Sequence, residues 1–383
     1  MPGYNAVRMA MVNPSAPAHA KQPPDGALVA ATVRTKLPFC AEFRGLTPLD
    51  GDASNRRYFR IELAGGSPTS VVLMQLAEPE AFKQSEEAVS GATITITELP
   101  FINILKHLVQ AGVGVPTLYY YDQSAGLLYL EDFGDVTLAQ ACGGGRPGTT
   151  SAVADLYRDA VDALARMHLN ATNPRASGCL AFHRRFDVPL LMWEFDHFLE
   201  FGVVARQGKP MCADDEQPIR AEFRKIAEWL EAQPAVFTHR DYHSRNLMVR
   251  DTARNGSRLG VLDFQDALLG PATYDLASLL RDAYVAIEEA FIDELIQRYC
   301  AHVAGRLDVP GDHAAFRRLF DFTSIQRNLK AAGRFMYIDR VKHNPKFLAD
   351  IPRVLGYVRR NLAAYPELAT LRKHLAKYVP ELQ

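Results

Sequence analysis

The sequence predicts an α+β chain in two lobes, a small strand-rich one followed by a larger, mainly helical one. Three observations carry this. Between Phe43 and Leu130, short β-type runs bounded by Gly, Pro and Asn enclose a single helical stretch. Past Gly134, apolar residues recur at helical spacing, beginning with Leu156, Ala160, Leu164 and Met167 on one face. The 383 residues, 48% of them apolar, also supply enough material for more than one core.

Taken in order, residues 1–37 hold Pro14, Pro17, Pro23 and Pro24 among Gly and Ala with little periodicity, the composition of a flexible tail. The small lobe is expected over 38–132. There, Tyr58 to Leu63 and Val71 to Leu76 form a hairpin across the polar turn Gly65-Gly66-Ser67-Pro68. A helix follows, with Pro100 in its first turn, Phe101, Ile104, Leu105 and Leu108 on its apolar face and Gly112 at its end. Two more strands, Thr117 to Tyr121 and Leu127 to Leu130, close the lobe at Glu131-Asp132-Phe133-Gly134. The large lobe, 133–383, is helical except for strand-like runs around Asp241 and before Asp263. Helices resume from Asp275 to Tyr284, Ile287 to Gly305 and Ala315 to Phe335.

Those interruptions carry the chemistry. His239-Arg240-Asp241 is followed by Asn246, five residues after the aspartate, and Asp263 stands 22 residues after it. Apolar runs flank them: Ala235-Val236-Phe237-Thr238 and Leu247-Met248-Val249 around the first motif, Gly260-Val261-Leu262 before the second. Both aspartates therefore sit where buried strands end, which fixes side-chain direction better than a free loop does. The spacing suits phosphoryl transfer, in which one aspartate meets a substrate hydroxyl while an asparagine and a second aspartate hold Mg²⁺. Singly, each residue has a plainer reading, because Asp and Asn in turns satisfy backbone donors. Three residue types at two fixed spacings favour the site.

Composition narrows the partners. A formal net charge of −1 and a pI near 6.8 leave no basic footprint for nucleic acid or a membrane surface. Cys40, Cys142, Cys179, Cys212 and Cys300 are scattered and form no paired spacing, so neither a disulfide framework nor a zinc site is expected. No apolar run reaches the roughly 18 residues that span a bilayer, and no leader-like segment opens the chain, so a cytoplasmic location is expected. The short interval between Asp263 and Asp275 leaves no room for the activation segment of a protein kinase.

From residue 38 onward the chain resembles the aminoglycoside phosphotransferase family of kinase-like enzymes. The resemblance rests on His239-Arg240-Asp241 to Asn246, on Leu262-Asp263-Phe264, and on Gly270-Pro271-Ala272-Thr273-Tyr274-Asp275-Leu276-Ala277, in that order and spacing. Within it, Asp52-Ala53-Ser54-Asn55-Arg56-Arg57-Tyr58-Phe59-Arg60, Gln265-Asp266-Ala267 and Gln326-Arg327-Asn328-Leu329-Lys330 are similar to the bacterial anomeric kinases of N-acetylmuramate and N-acetylglucosamine. The resemblance implies a bilobal protein-kinase-like fold, ATP and Mg²⁺ as cofactors, and phosphorylation of an amino sugar at its C1 hydroxyl. Asp241 becomes the catalytic base, Asn246 and Asp263 the metal ligands, and His239 and Asp275 structural supports of the loop. Ser54, Asn55 and Arg57 of the first hairpin, with Glu131, become nucleotide contacts. A pathway link to a sugar-1-phosphate nucleotidyltransferase is implied in the same way.

One departure stands out: Val71 to Leu76 contains no lysine, the usual phosphate anchor of kinases. Arg56, Arg57 and Arg60 on the preceding hairpin are the basic candidates for that role, since arginine binds phosphate bidentately, and Arg57 is the one expected to take it; its plainer reading is a solvated hairpin residue. Glu98, near the helix start, either orients an anchor or complements the helix dipole. For the acceptor, nine basic residues against three acidic lie between Phe320 and Asn361. Such a region repels a polycationic aminoglycoside and attracts the carboxylate of N-acetylmuramate, with Arg327 the chosen contact. Glu194 and Asp196 are expected to meet sugar hydroxyls, although both also suit the polar face of a helix around Leu191, Phe195 and Phe198. The alternatives are an aminoglycoside or choline-like acceptor on the same fold, or a non-catalytic nucleotide-binding module.

Overall fold

Alternating burial along β2 shows how the first sheet is made. In Arg57–Ala64 the side chains of Phe59, Ile61 and Leu63 are buried while Glu62 faces solvent, the period of a strand with one covered face. The computed structural model describes residues 22–49, 56–76, 98–143, 151–172, 178–254 and 256–383, which divide into two units. In the first unit, α1 (Gly26–Lys36) precedes β1 (Glu42–Leu49), β2, β3 (Ser70–Gln75), β4 (Leu118–Asp122) and β5 (Leu127–Glu131). The five strands form one sheet of order β1-β2-β3-β5-β4. The β2–β3 hairpin pairs Arg60 with Val72 and Phe59 with Leu73, as the turn chemistry predicts.

Within the tail expected over 1–37, residues Gly26–Lys36 form a helix, and residues 1–21 lie outside the described residues. Asp25 caps α1 by accepting the N–H of Ala27 at 2.9 Å. Val29 and Val33, one turn apart, are fully buried against Phe59, Ile61, Val71 and Leu73. An apolar stripe two residues wide in an Ala-rich helix carries little periodic signal, which is why sequence reading missed it.

The second unit begins with α2 (Pro100–Gln110), which the sequence reading had placed in the small lobe. Its contacts explain the reassignment: Phe101 stacks on Phe264 at 4.9 Å, His107 Nε2 lies 2.7 Å from the Ala171 carbonyl, and Asn103 donates to the Gly178 carbonyl at 2.7 Å. Then follow α3 (Ser151–Ala171), α4 (Val188–His197), which runs on into a π-helical segment Phe198–Ala205, and α5 (Ala213–Glu231). Four short strands come next: β6 (Ala235–Thr238), β7 (Leu247–Arg254), β8 (Ser257–Val261) and β9 (Leu268–Pro271). β6 pairs antiparallel with β9, and β7 with β8, with Leu247 opposite Val261. Helices α6 (Thr273–Leu280), α7 (Glu289–Val303), α8 (His313–Lys342), α9 (Ile351–Ala364) and α10 (Ala369–Leu375) complete the unit.

The 30-residue α8 is the spine of this unit. Ile325, Leu329, Phe335 and Ile338 pack with Phe195, Phe198 and Val354 into one core. At Gly333 a Cβ would stand 2.7 Å from the Phe198 Cα, so only glycine lets α8 approach the α4 segment this closely. The five cysteines are free thiols. Among the described residues, no helix is long and apolar enough to cross a membrane.

Candidate active site

Strand register brings the motif residues together. β6 ends at Thr238, and the loop 239–246 runs from there to the start of β7. Because Leu247 opposes Val261, Asn246 and Leu262 leave the same end of the β7–β8 hairpin, and the Leu262 N–H donates to the Asn246 carbonyl at 2.9 Å. Asp263 is therefore delivered beside Asn246. The Asn246 amide nitrogen donates to the Asp241 backbone carbonyl at 2.9 Å, which leaves its side-chain oxygen as the atom suited to a cation. On Asp263, Oδ1 accepts from Gln265 Nε2 at 2.7 Å, and Oδ2 keeps its capacity for a metal. Among the described residues no three His, Cys, Asp or Glu gather as a metal cage. Two protein oxygens fit Mg²⁺, which takes its other ligands from phosphates and water.

Backbone conformation marks the same place. Among the described residues, Arg240 (φ 76°), Asp263 (φ 62°) and His343 (φ 53°) are the non-glycine residues in the left-handed region. Two of these three stand in this site, and such conformations persist only where surroundings over-determine them. Asp275, fully buried at the start of α6, supplies part of that constraint. Its Oδ2 accepts the His239 N–H at 2.7 Å and its Oδ1 the Arg240 N–H at 2.9 Å. His168 of α3, itself 2.7 Å from the Tyr299 hydroxyl, stands 3.2 Å from Asp275 Oδ2. Further along the loop, Asp282 accepts the N–H groups of Ser244 and Tyr284, each at 2.9 Å.

Glu194 turns out otherwise than expected. It is fully buried, and its carboxylate accepts from Arg240 Nη2 at 3.0 Å and Gln326 Nε2 at 2.7 Å while Lys330 Nζ lies 2.7 Å away. A carboxylate enclosed by three donors has no place for a sugar hydroxyl. Asp196, two residues on and so on a different side of α4, is ion-paired with Arg220 of α5. The first is taken up by donors around the 239–246 loop, and the second joins two helices. For Lys330, burial pulls the ammonium toward neutrality, but Glu194, with Tyr274 and Asp241, outweighs it and holds the group above its usual range. Burial, with Glu194, pushes the Tyr274 hydroxyl up to about 12.

Arg327, on the same stretch of α8, is 7% exposed and donates to Asn328 Oδ1 at 3.3 Å. Its charge bears on His243, whose imidazole is held below its usual range by burial, with Arg327 adding to that and Asp282, Asp241 and Asp263 opposing it. One imidazole thus feels Asp241, Asp263 and Arg327 together. Arg245 lies over the Tyr284 ring at 3.6 Å.

The nucleotide candidates fare unevenly. Ser54 and Asn55 lie outside the described residues. Arg57 shares the odd-numbered face of β2 with Phe59 and Ile61, the face that α1 covers, and its guanidinium lies over the Phe59 ring at 5.0 Å. Arg60 belongs to the opposite face. Glu131 Oε2 accepts from the Thr117 N–H at 3.0 Å and the Thr117 hydroxyl at 2.7 Å. Glu98, two residues ahead of α2, is ion-paired with Lys106 of that helix. Sequence reading missed His168, Asp282 and the Glu194 hub with Gln326 and Lys330. The last two lie in a quoted motif, but nothing in sequence spacing joins α4 to α8.

Comparison with known proteins agrees with this geometry. The sequence profile of the phosphotransferase enzyme family matches residues 45–316. A protein of Neisseria meningitidis serogroup B named N-acetylmuramate/N-acetylglucosamine kinase is 34% identical over 336 residues, which are 87% of this chain and 90% of that one. A protein of the same name from Pseudomonas aeruginosa is 32% identical over 337 residues, 86% of this chain and 88% of its own. Among solved structures, choline kinase from Cryptosporidium parvum superposes with a TM-score of 0.56 at 11% identity, covering 93% of this chain and 99% of the other. The GDP complex of aminoglycoside 2'-phosphotransferase-IIIa gives 0.53 at 14% identity, covering 89% and 99%. At such identities these two speak for the kinase-like fold, which is the one expected. The profile match and the two kinases similar over most of their length go further: the chain belongs to the phosphotransferase enzyme family.

Proposed function

We propose that this protein is an ATP-dependent kinase that phosphorylates the anomeric C1 hydroxyl of N-acetylmuramate, N-acetylglucosamine or both. The observation that carries the reading is the meeting of Asp241, Asn246 and Asp263 at one end of the β7–β8 hairpin, on a loop held by Asp275. The relatives' names supply the acceptor class. When bound, Mg²⁺ and ATP supply the transferable phosphoryl group and neutralise charge on it. Asn246 and Asp263 hold the metal through side-chain oxygens. Asp241 orients the sugar hydroxyl and accepts its proton; an anomeric hydroxyl is more acidic than an ordinary alcohol and suits a carboxylate of ordinary basicity. Alignment and charge compensation do most of the work in such a transfer.

The charge argument for the acceptor is narrower than the raw count of basic residues. Lys330 is committed to Glu194, Arg360 to Glu289, Arg340 to Asp339 and Arg353 to Asp350 and the Ala283 carbonyl. Arg327, close enough to influence His243 beside the loop, is the cation we assign to the lactyl carboxylate of N-acetylmuramate. ATP as donor favours a cytoplasmic site of action, and the product is the form a sugar-1-phosphate nucleotidyltransferase consumes.

The test is ³¹P NMR of the protein with ATP and Mg²⁺ against N-acetylmuramate, N-acetylglucosamine, choline and kanamycin. An anomeric sugar-phosphate signal is expected, reduced about 10²–10⁴-fold in rate for Asp241→Asn. Product only with choline or kanamycin overturns the acceptor, and ATP binding without product from any acceptor supports a non-catalytic module.

A further inference from the structure

We infer that Glu194 is a positioning residue of the transfer reaction: through Arg240 it holds the catalytic loop in its left-handed turn and so sets the direction of Asp241. The inference rests on Asp241 being the base.

Arg240 immediately precedes Asp241, and its φ of 76° is one that side-chain-bearing residues avoid. Left to itself the backbone would relax, and the rotation would pass directly into the next residue. Three groups oppose that relaxation. The Arg240 N–H is held by Asp275 at 2.9 Å, its carbonyl accepts from Ser278 Oγ at 3.3 Å, and its guanidinium donates to Glu194 at 3.0 Å while lying 5.4 Å from the centre of the Phe186 ring. The first two anchors come from α6. The third comes from α4, so Glu194 ties the turn to a second helix.

The burial of Glu194 makes this anchor stiff. An ionised carboxylate at 0% exposure is tolerable only with strong partners, and here it has Arg240, Lys330 and Gln326, the last two one helical turn apart on α8. Lys330 also reaches the Tyr274 hydroxyl at 3.3 Å. Two cations against one anion leave the hub with a surplus positive charge next to the loop that carries Asp241. Arg240 is thus bonded by α4 and α6, and α8 braces the Glu194 end of that link. An acid whose role was only to stabilise the fold would have no reason to bond the one residue whose backbone aims the base.

The experiment compares steady-state kinetics of Glu194→Gln, Arg240→Ala and Arg240→Gly with the unaltered protein, with Asp241→Asn as control. Glu194→Gln is expected to lower kcat by about tenfold or more, leaving KM for sugar and ATP within about twofold, because the loss lies in the transition state. Glycine accepts a positive φ that alanine does not, so Arg240→Gly is expected to retain about tenfold more turnover than Arg240→Ala. In the Arg240→Gly background, Glu194→Gln should cost little further, since its route to Asp241 is already gone. A raised sugar KM with unchanged kcat in Glu194→Gln makes the residue a substrate contact and overturns the inference. So do equal losses in the two Arg240 variants, a comparison that decides the matter even if Glu194→Gln does not fold. Absence of sugar phosphorylation in the unaltered protein, or full activity in Asp241→Asn, instead overturns the function on which the inference rests.

Discussion

Asp275→Asn replaces one oxygen of a buried carboxylate by an amide nitrogen and changes almost nothing in shape. In the native protein the two oxygens divide the work: Oδ2 takes the His239 N–H at 2.7 Å with His168 at 3.2 Å, and Oδ1 takes the Arg240 N–H at 2.9 Å. An asparagine offers a single acceptor oxygen, so one backbone N–H must face an NH₂ group. The lost charge-assisted bond is worth about 1.5–3 kcal/mol, and a buried N–H left unpaired adds about 1–3 kcal/mol, giving roughly 2.5–6 kcal/mol together. Against a total stability of about 5–15 kcal/mol this is a large fraction. Turnover should fall as well, by about 10²-fold, because a displacement near 1 Å at the reacting group has that effect. Urea unfolding followed by tryptophan fluorescence, alongside turnover of the folded protein, checks both effects. Asp241→Asn serves as the contrast: its stability should stay within about 1 kcal/mol of the native value while its turnover collapses. An Asp275→Asn protein with native unfolding midpoint and native turnover would refute the reasoning.

Other outcomes follow from the same geometry. Asp263→Asn should raise the Mg²⁺ concentration needed for half-maximal turnover by about tenfold or more, and excess ATP should not restore the rate; an unchanged Mg²⁺ profile speaks against the metal assignment. His243, held below its usual value of 6.5 mainly by burial, is neutral in the folded protein. The unfolded chain therefore binds the proton first as pH falls, so this stabilising contribution is complete above pH 6.5 and is lost as pH drops through the folded-state value. His243→Gln should flatten that part of the stability curve; parallel urea midpoints for both proteins from about pH 7.5 to 5 would count against it. Finally, Arg60→Ala should raise KM for ATP by about tenfold while Arg57→Ala leaves it near native, because only Arg60 is on the sheet face that α1 does not cover. The reverse order would restore Arg57 as the phosphate anchor.

Much of this was legible locally. The strands on either side of Asp241 and Asp263, the β2–β3 hairpin and the long helices after Asp275 follow from short-range period and turn chemistry, and they appear where expected. The misreadings share a cause. Residues 26–36 were taken for tail because two valines at helical spacing gain meaning only from the sheet beneath them. Alternation also defines two faces of β2, with Arg57 on one and Arg60 on the other, without saying which one a helix covers. Glu194 was assigned to sugar hydroxyls because its three donors come from positions 240, 326 and 330, far away in sequence.

By itself, then, the sequence determined the reaction class and brought out Asp241, Asn246 and Asp263 as the candidate site, because they lie within 23 residues joined by short strands whose register leaves little freedom. Only the tertiary structure decided how that loop is held. Glu194 of α4 and Asp275 of α6 reach it directly and are themselves held by Gln326 and Lys330 of α8 and by His168 of α3, positions more than a hundred residues apart that packing brings together, and burial obliges each of these polar groups to find a partner.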